Sequence, residues 1–496
     1  MLKEKLKIAI VSSEVVPFAK TGGLADVAGA LPKVLSKLGH EVKVFLPKYK
    51  MVDDQKFNLI DKKIELSKIP IGEKQIELGL RSAMLADSKA EFYFLVNNFY
   101  YLRDEFYRDN STGLDYIDND ERFIFLARGT LEVLKKLDWQ PDIIHCNDWQ
   151  SGLIPAYLKT LYKDDPFFKN TATLFSIHNL AYQGNFPSET FDKLGLERSL
   201  FYPASPFEFW SKVSFIKAGI VYTDIVNTVS PTYALEIQSG SEYGYGMEGV
   251  LSSRKDDLFG IINGIDYDIW NPKTDELIPY KYDPDDLSGK EKNKEYLLKT
   301  SKLPLDKKRT PLVGVISRLA DQKGFDLIAQ ISERLLSLDL KIVILGTGDE
   351  KYHLLFTNMQ KKFPHKLKVT LGFDNKLAHL IEAGSDMFLM PSRYEPCGLN
   401  QLYSLKYGTV PIVRHTGGLA DTIANYNPIT GKGNGFSFKT YSAEKLLETI
   451  QKAINLYKSE TLWTKLTLAG MKQDFSWKAS AKKYVELYQR ALSKKW

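Results

Sequence analysis

Short apolar runs alternate with helix-periodic segments along the whole chain. In the first half, the runs at 7–12, 42–46, 91–96, 142–146, 172–177 and 224–229 read as strands. Apolar positions spaced three and four apart predict helices over 24–38 (closed by Gly39), 118–137 and 149–162. Near-continuous apolar strands joined by helices imply a parallel sheet covered on both faces. A stretch rich in Pro, Asp and Lys, 271–294, reads as a linker. The pattern then restarts, with strands expected at 312–316, 341–345, 367–371, 387–390 and 410–413. Helices follow at 325–338, 350–362, 376–383, 398–407 and 419–424. The last helices, 443–457, 460–471 and 477–492, have no strand to return to.

Two consecutive arrays of this kind predict an α/β protein of two Rossmann-like domains, their parallel sheets facing across a cleft. The expected domains are 1–262 and 263–476, with the final helix, about 477–496, packing back on the first. Ligands of such sheets sit at the carboxyl ends of strands, beside helix N-termini. The loops at those ends are therefore where chemistry is expected.

Composition narrows the class. The 496 residues suffice for each domain to bury its own core, and 44% hydrophobic with 26% charged residues sets aside disordered and fibrous chains. The net charge of +6 comes from dispersed lysines without a groove-reading motif, so no nucleic-acid partner is expected, while anionic ligands are favoured. The first apolar run is too short for a signal-peptide core, and no stretch reaches the length of a membrane span. Only Cys146 and Cys397 are present, which argues against a disulfide framework or a thiolate metal site. A cytoplasmic protein with no membrane partner is expected.

Four motifs carry the chemistry. Lys20-Thr21-Gly22-Gly23-Leu24-Ala25-Asp26 follows the first strand and opens a helix; its glycines allow close ligand approach, its helix start offers N–H groups, and Lys20 adds a charge. Arg318 and Lys323, in Ser317-Arg318-Leu319-Ala320-Asp321-Gln322-Lys323-Gly324, can hold a diphosphate leaving group from two sides and stabilise the charge it gains as the bond breaks. Glu395 lies at the tip of Pro391-Ser392-Arg393-Tyr394-Glu395-Pro396-Cys397-Gly398-Leu399, where a carboxylate can bond sugar hydroxyls or stabilise a positively charging ring. His415-Thr416-Gly417-Gly418-Leu419-Ala420-Asp421 repeats Thr-Gly-Gly-Leu-Ala-Asp at a second strand-to-helix turn, so two mirrored anion loops are expected, one per domain. Asp148 and His178, after strands of the first domain, join the candidates. Asp118-x-Asp120 and Asp266-x-Asp268 match a metal pattern but read as helix-start or turn residues.

As a set, Lys-Thr-Gly-Gly-Leu-Ala-Asp-Val, Arg-Leu-x-x-Gln-Lys-Gly and Glu-Pro-Cys-Gly-Leu-x-Gln-Leu followed by Thr-Gly-Gly-Leu-x-Asp are highly specific. The chain resembles bacterial glycogen synthases and plant-type starch synthases over nearly its whole length. Further fragments agree: His178-Asn179-Leu180-Ala181-Tyr182-Gln183-Gly184, Val229-Ser230-Pro231-Thr232-Tyr233-Ala234 and Tyr245-Gly246-Met247-Glu248-Gly249.

The resemblance implies a GT-B fold and retaining transfer of glucose from ADP-glucose to the 4-OH end of an α-1,4-glucan such as glycogen. No cofactor or metal is implied. Lys20, Gly22, Gly23, Asp26 and Asn263 would line the donor pocket, Arg318 and Lys323 would hold the diphosphate, and the amides of 416–419 would lie beside it. Glu395 would face the glucosyl ring, with His178 near its 6-OH or C1. Cys397, Gly398, Leu399 and Tyr403 complete the expected donor contacts, and Asp148 the expected catalytic set. Tyr403 stands where related transferases carry a second Glu, and Tyr101-Leu102-Arg103 departs from the usual aromatic-Asp-Arg. Tyr101 and Asn179 are therefore expected only as substrate contacts. The rival readings are a UDP-glucose-dependent transferase and a catalytically silent glucan-binding homologue.

Overall fold

The structure is a computed structural model that describes residues 4–65, 68–306 and 309–495. It divides into two compact units. Met1–Val229, Ala234–Ile261 and Trp477–Trp496 form the first, and Ser230–Tyr233 with Ile262–Ser476 the second. Residue 496, at the end of the expected terminal helix, lies outside the described residues.

The main sheet of the first unit runs Leu258–Gly260, Ile225–Thr228, Ala172–Ile177, Ile143–Asn147, Lys7–Val11, Glu41–Pro47, Glu91–Val96, Gly79–Met84, Ile60–Asp61. Its first seven strands are parallel, and Gly79–Met84 adds antiparallel at one side. The central strands Ile143–Asn147 and Ala172–Ile177 are buried at every position, as strands covered on both faces must be. Chain order reverses between Lys7–Val11 and Ile143–Asn147, where Val11 lies opposite Cys146. This reversal opens a crevice at the carboxyl ends of the two strands. The terminal helix Trp477–Ser493 belongs to this unit, with Tyr484 and Tyr488 fully buried. The Tyr488 hydroxyl bonds His145 Nδ1 at 2.9 Å. A small separate sheet joins Asn185–Phe186, Lys212–Ser214 and Glu208–Phe209.

The second unit has the sheet Leu367–Leu371, Lys341–Gly346, Leu312–Ile316, Met387–Met390, Val410–Arg414, Phe436–Phe438, parallel throughout. Alternate residues serve opposite layers: Val313, Val315, Ile342 and Ile344 enter one core, while Leu312, Val343, Leu345 and Phe388 enter the other. Chain order reverses between Leu312–Ile316 and Met387–Met390, again placing two loops side by side at one sheet edge.

One expectation changes, and further strands lie outside the apolar-run reading. The stretch expected as a linker is packed: Ile278 and Tyr282 share a buried cluster with Tyr407 and Met471, and the helix Ser288–Thr300 begins within it. Gly79–Met84 and the small sheet escape an apolar-run reading because their strands are short or partly exposed and carry polar residues. Trp463 belongs to the core: it is 4% exposed and sits edge-on to Tyr457. Among the described residues, no helix is long and apolar enough to cross a membrane.

Candidate active site

In the first unit, the Lys20–Gly23 segment leaves the Lys7–Val11 strand and opens the helix Gly23–Lys37. A Cβ placed on Gly22 or Gly23 would meet nothing within 4 Å, so one side of the loop is open to a ligand. Part of the expected anion cradle is occupied by a side chain of the protein itself. The buried carboxylate of Glu14 accepts the amides of Thr21 (2.5 Å) and Gly22 (3.1 Å) through Oε2. Its Oε1 accepts the hydroxyls of Thr21 (2.6 Å) and Tyr107 (2.8 Å). This resident carboxylate takes two of the N–H groups that a phosphate at this loop would use, with the Lys20 ammonium beside them. Lys20 is half-exposed and pairs with Asp26 at 2.7 Å. Burial raises the Asp26 carboxyl above its ordinary range, against the lowering effect of Lys20.

Across the crevice of the same sheet, Asp148 and His178 end neighbouring strands. Asp148 has φ 54°, a conformation that costs a non-glycine residue free energy. Its carboxylate accepts the His178 amide at 2.7 Å and also the Asn179 amide, and burial pushes its pKa up to about 7. The Asp148 carboxylate, expected in the catalytic set, fastens the chain that carries His178. The Asn147 amide donates to the Val11 carbonyl at 3.1 Å, which turns Asn147 Oδ1 toward His178 Nε2 at 2.9 Å. His178 therefore carries its proton on Nε2 and presents Nδ1 as an acceptor. Burial lowers its pKa to about 3, so the ring is neutral. Asn179 Oδ1 accepts the Ala181 amide at 3.1 Å in a local turn.

In the second unit, the two loops at the reversal of strand order are zipped together. Gly324 has φ 75°, and a Cβ there would lie 1.9 Å from the Pro391 carbonyl, so only glycine permits the approach. The Arg393 amide donates to the Gln322 carbonyl (2.8 Å), and Gln322 Nε2 to the Tyr394 carbonyl (3.3 Å). The result is a buried Glu395 whose Oε2 takes Lys323 Nζ at 2.6 Å and Ser392 Oγ at 3.0 Å. Both contacts fall on Oε2, so Oε1 is the oxygen a substrate hydroxyl would meet. Lys323 has three donors and can keep this pair while binding a phosphate oxygen. Arg318 is exposed beside it, held loosely by Gln322 at 3.3 Å.

The second Thr-Gly-Gly copy does different work. A Cβ on Gly417 (φ 44°) would meet the Glu395 carbonyl at 2.0 Å, and one on Gly418 the Cys397 carbonyl at 2.1 Å. The Gly418 amide donates to the carbonyls of Glu395 and Pro396, those of Leu419 and Ala420 to Thr416, and that of Thr416 to Arg414. Of these, the Gly418 amide holds the backbone of the Glu395 loop, while those of Thr416, Leu419 and Ala420 close the local turn. Asn263 lies in the same region: its backbone amide reaches the Cys397 thiol, which burial pushes up to about 12, and its buried Oδ1 has no partner among the described residues. Gly398 (φ 72°) turns the chain after Cys397, and Leu399 precedes the helix Asn400–Lys406. On that helix, Tyr403 stacks on Trp270 at 3.9 Å, and Trp270 on His379 at 3.8 Å.

Tyr101 is corrected outright. It is fully buried, and its hydroxyl donates to the Arg122 carbonyl at 2.7 Å, so it faces the core. The Asp-x-Asp candidates are also local: Asp266 Oδ1 accepts the Asp268 amide, Asp118 pairs with Arg103, and Asp120 with Lys193. Glu14, Tyr107 and Ser392 escaped the sequence reading because each acts through a partner known only from the fold. Phe373, 90% exposed just beyond the strand Leu367–Leu371, offers the kind of flat apolar face on which bases stack.

The chain matches the starch synthase catalytic domain family over residues 7–253 and the glycosyl transferases group 1 family over residues 299–467. It is 47% identical to the glycogen synthase of Thermosipho melanesiensis over 99% of this chain and 100% of that one. The glycogen synthase of Desulforudis audaxviator is 48% identical over 100% and 98% of the two chains. Among solved structures, the catalytic domain of starch synthase IV from Arabidopsis thaliana, bound to ADP and acarbose, superposes with a TM-score of 0.89 at 33% identity, covering 99% of this chain and 100% of that one. With two doubly wound units and full-length identity at this level, the chain belongs to the glycogen synthase family of GT-B glycosyltransferases.

Proposed function

We propose that the protein lengthens an α-1,4-glucan by transferring glucose from ADP-glucose to a terminal 4-OH with retention of configuration. The observation that carries this reading is the pair of partly exposed Lys323 with buried Glu395, beside Arg318, at the strand-order reversal of the second unit. Retaining transfer needs a cation where the leaving diphosphate gains charge and a carboxylate where the sugar ring becomes positive. Lys323 and Arg318 draw off the diphosphate, and Glu395 stabilises the oxocarbenium ion without forming a covalent bond. The leaving phosphate takes the proton of the acceptor hydroxyl on the same face of the ring. Neutral His178 accepts a hydrogen bond from a sugar hydroxyl through Nδ1, and Lys20 contacts the donor. The orphaned Oδ1 of Asn263 supports a polar donor contact there.

The test is nucleoside-diphosphate release from ADP-glucose or UDP-glucose, with and without glycogen, in the presence of EDTA and with a Glu395→Ala control. Glycogen-dependent ADP release that survives EDTA and falls about 1,000-fold in the variant is the expected result. Preference for UDP-glucose would overturn the donor assignment. Glycogen binding without release from either donor would identify a silent glucan-binding homologue.

A further inference from the structure

Eight non-glycine residues among those described have positive φ, and four of them belong to one corner of the first unit: Ala204 (65°), Trp210 (53°), Ser211 (62°) and Tyr245 (49°). Trp210 and Ser211 form the two-residue turn between Glu208–Phe209 and Lys212–Ser214. Such a turn needs positive φ at both positions, which Asn-Gly adopts with little strain and a tryptophan does not. The turn is braced rather than loose. The Glu208 carboxylate accepts the Ser211 amide at 2.6 Å and the Ala204 amide at 2.7 Å, and Lys217 Nζ, itself buried, donates to the Glu208 carbonyl at 2.6 Å. A Cβ on Gly246 would lie 2.8 Å from the Phe209 ring and 3.5 Å from Trp210 Nε1, so the hairpin rests on the turn at Tyr245 and Gly246. Gln183 ties that turn to the segment carrying Tyr182 by donating to the Tyr245 carbonyl at 3.1 Å.

Folding gains little from the strained residue, because the Trp210 ring is 79% exposed. Tyr202, two residues before Ala204, and Tyr182, beside Gln183, are 56% and 49% exposed. Backbone strain kept for an unburied side chain points to a ligand.

We propose that the Trp210 hairpin is a docking platform for an α-glucan chain, separate from the residues that carry out transfer. The indole face stacks against the C–H face of a glucosyl residue, whose hydroxyls stay in water, as a flat apolar ring with a polar rim favours. The occupant follows from the proposed acceptor, a polymer whose many glucosyl residues lie outside the transfer site, so the inference rests on that reading.

The test is Trp210→Asn together with Ser211→Gly, which keeps the turn and relieves its strain. Thermal unfolding checks the fold and is expected to move upward. Glycogen affinity by co-sedimentation is expected to fall about ten-fold, the size of one stacked ring's contribution. The KM for glycogen is expected to rise more than the KM for a short malto-oligosaccharide. Unaltered glycogen affinity in the folded variant overturns the inference. A change in sedimentation coefficient with unaltered affinity also overturns it and assigns the indole to contact with a second copy. If the unmodified protein neither binds nor extends glycogen, the acceptor reading itself fails, and the two failures are thereby told apart.

Discussion

Glu14 offers the sharpest test of how the first unit is built. Its carboxylate takes four donors, two amides on one oxygen and two hydroxyls on the other, at 2.5–3.1 Å. Glu14→Gln keeps an oxygen for the two amides and turns its NH2 toward hydroxyls that can rotate to accept. Only the charge is lost, and with it the difference between charged and neutral hydrogen bonds, about 2 kcal/mol of stability in all. Glu14→Ala removes all four bonds; water can replace some at the open side of the loop, so about 3 kcal/mol is expected. The catalytic effect should be steeper. A loop displaced by about 1 Å costs on the order of 100-fold in turnover, so the Ala variant should lose about that factor in kcat/KM and the Gln variant less than about ten-fold. The Ala variant should also gain a property. With the Thr21 and Gly22 amides released at a helix start, inorganic phosphate should inhibit it at concentrations harmless to the other two proteins. Urea denaturation and ADP-release kinetics across a phosphate titration measure all of this. An Ala variant with unaltered kcat/KM and unaltered phosphate sensitivity would refute the reasoning, as would a Gln variant as damaged as Ala.

Further outcomes follow from the geometry. Asp148, at about 7 folded against 3.8 unfolded, contributes stability that is full below pH 3.8 and lost as pH rises through 7. The stability of the protein relative to Asp148→Asn should therefore fall by up to about 4 kcal/mol over that window, and a flat difference in urea denaturation would exclude the assignment. His178 acts with the opposite sign, contributing above pH 6.5 and losing its contribution as pH falls toward 3. Gly417→Ala should destabilise by at least about 3 kcal/mol through its clash with the Glu395 carbonyl, whereas Gly22→Ala should leave unfolding within about 0.5 kcal/mol and raise the donor KM. Equal thermal shifts in the two variants would contradict the different uses assigned to the two loops. Tyr101→Phe should cost about 1 kcal/mol and leave both substrate KM values in place, since its hydroxyl serves the Arg122 carbonyl; a raised glycogen KM would restore it as a contact.

Much of the architecture was legible before any coordinates. Runs such as 172–177 and 341–345 are mostly apolar, as strands buried on both faces of a parallel sheet require. The loops after those strands could then be named as the site, because parallel sheets gather the carboxyl ends of all their strands on one side. Strands at sheet margins were not legible. Gly79–Met84 mixes polar and apolar residues because it is only partly covered, and the Trp210 hairpin lacks the Asn-Gly that marks such turns.

The sequence by itself determined which side chains could do chemistry: Lys20, Arg318, Lys323, Glu395 and His178 are set by residue type and by their place after apolar runs. Only the tertiary structure decided what each partner does. Thr-Gly-Gly-Leu-Ala-Asp occurs twice with identical local propensities, yet one copy faces open space and the other packs against the backbone of the Glu395 loop. A resident carboxylate from Glu14 takes the Thr21 and Gly22 amides of the first copy, and neighbouring carbonyls take amides of the second. Local sequence sets what a loop can offer. What occupies it depends on the chain that packs beside it, and that contact is decided by burial and hydrogen-bond satisfaction across the whole fold.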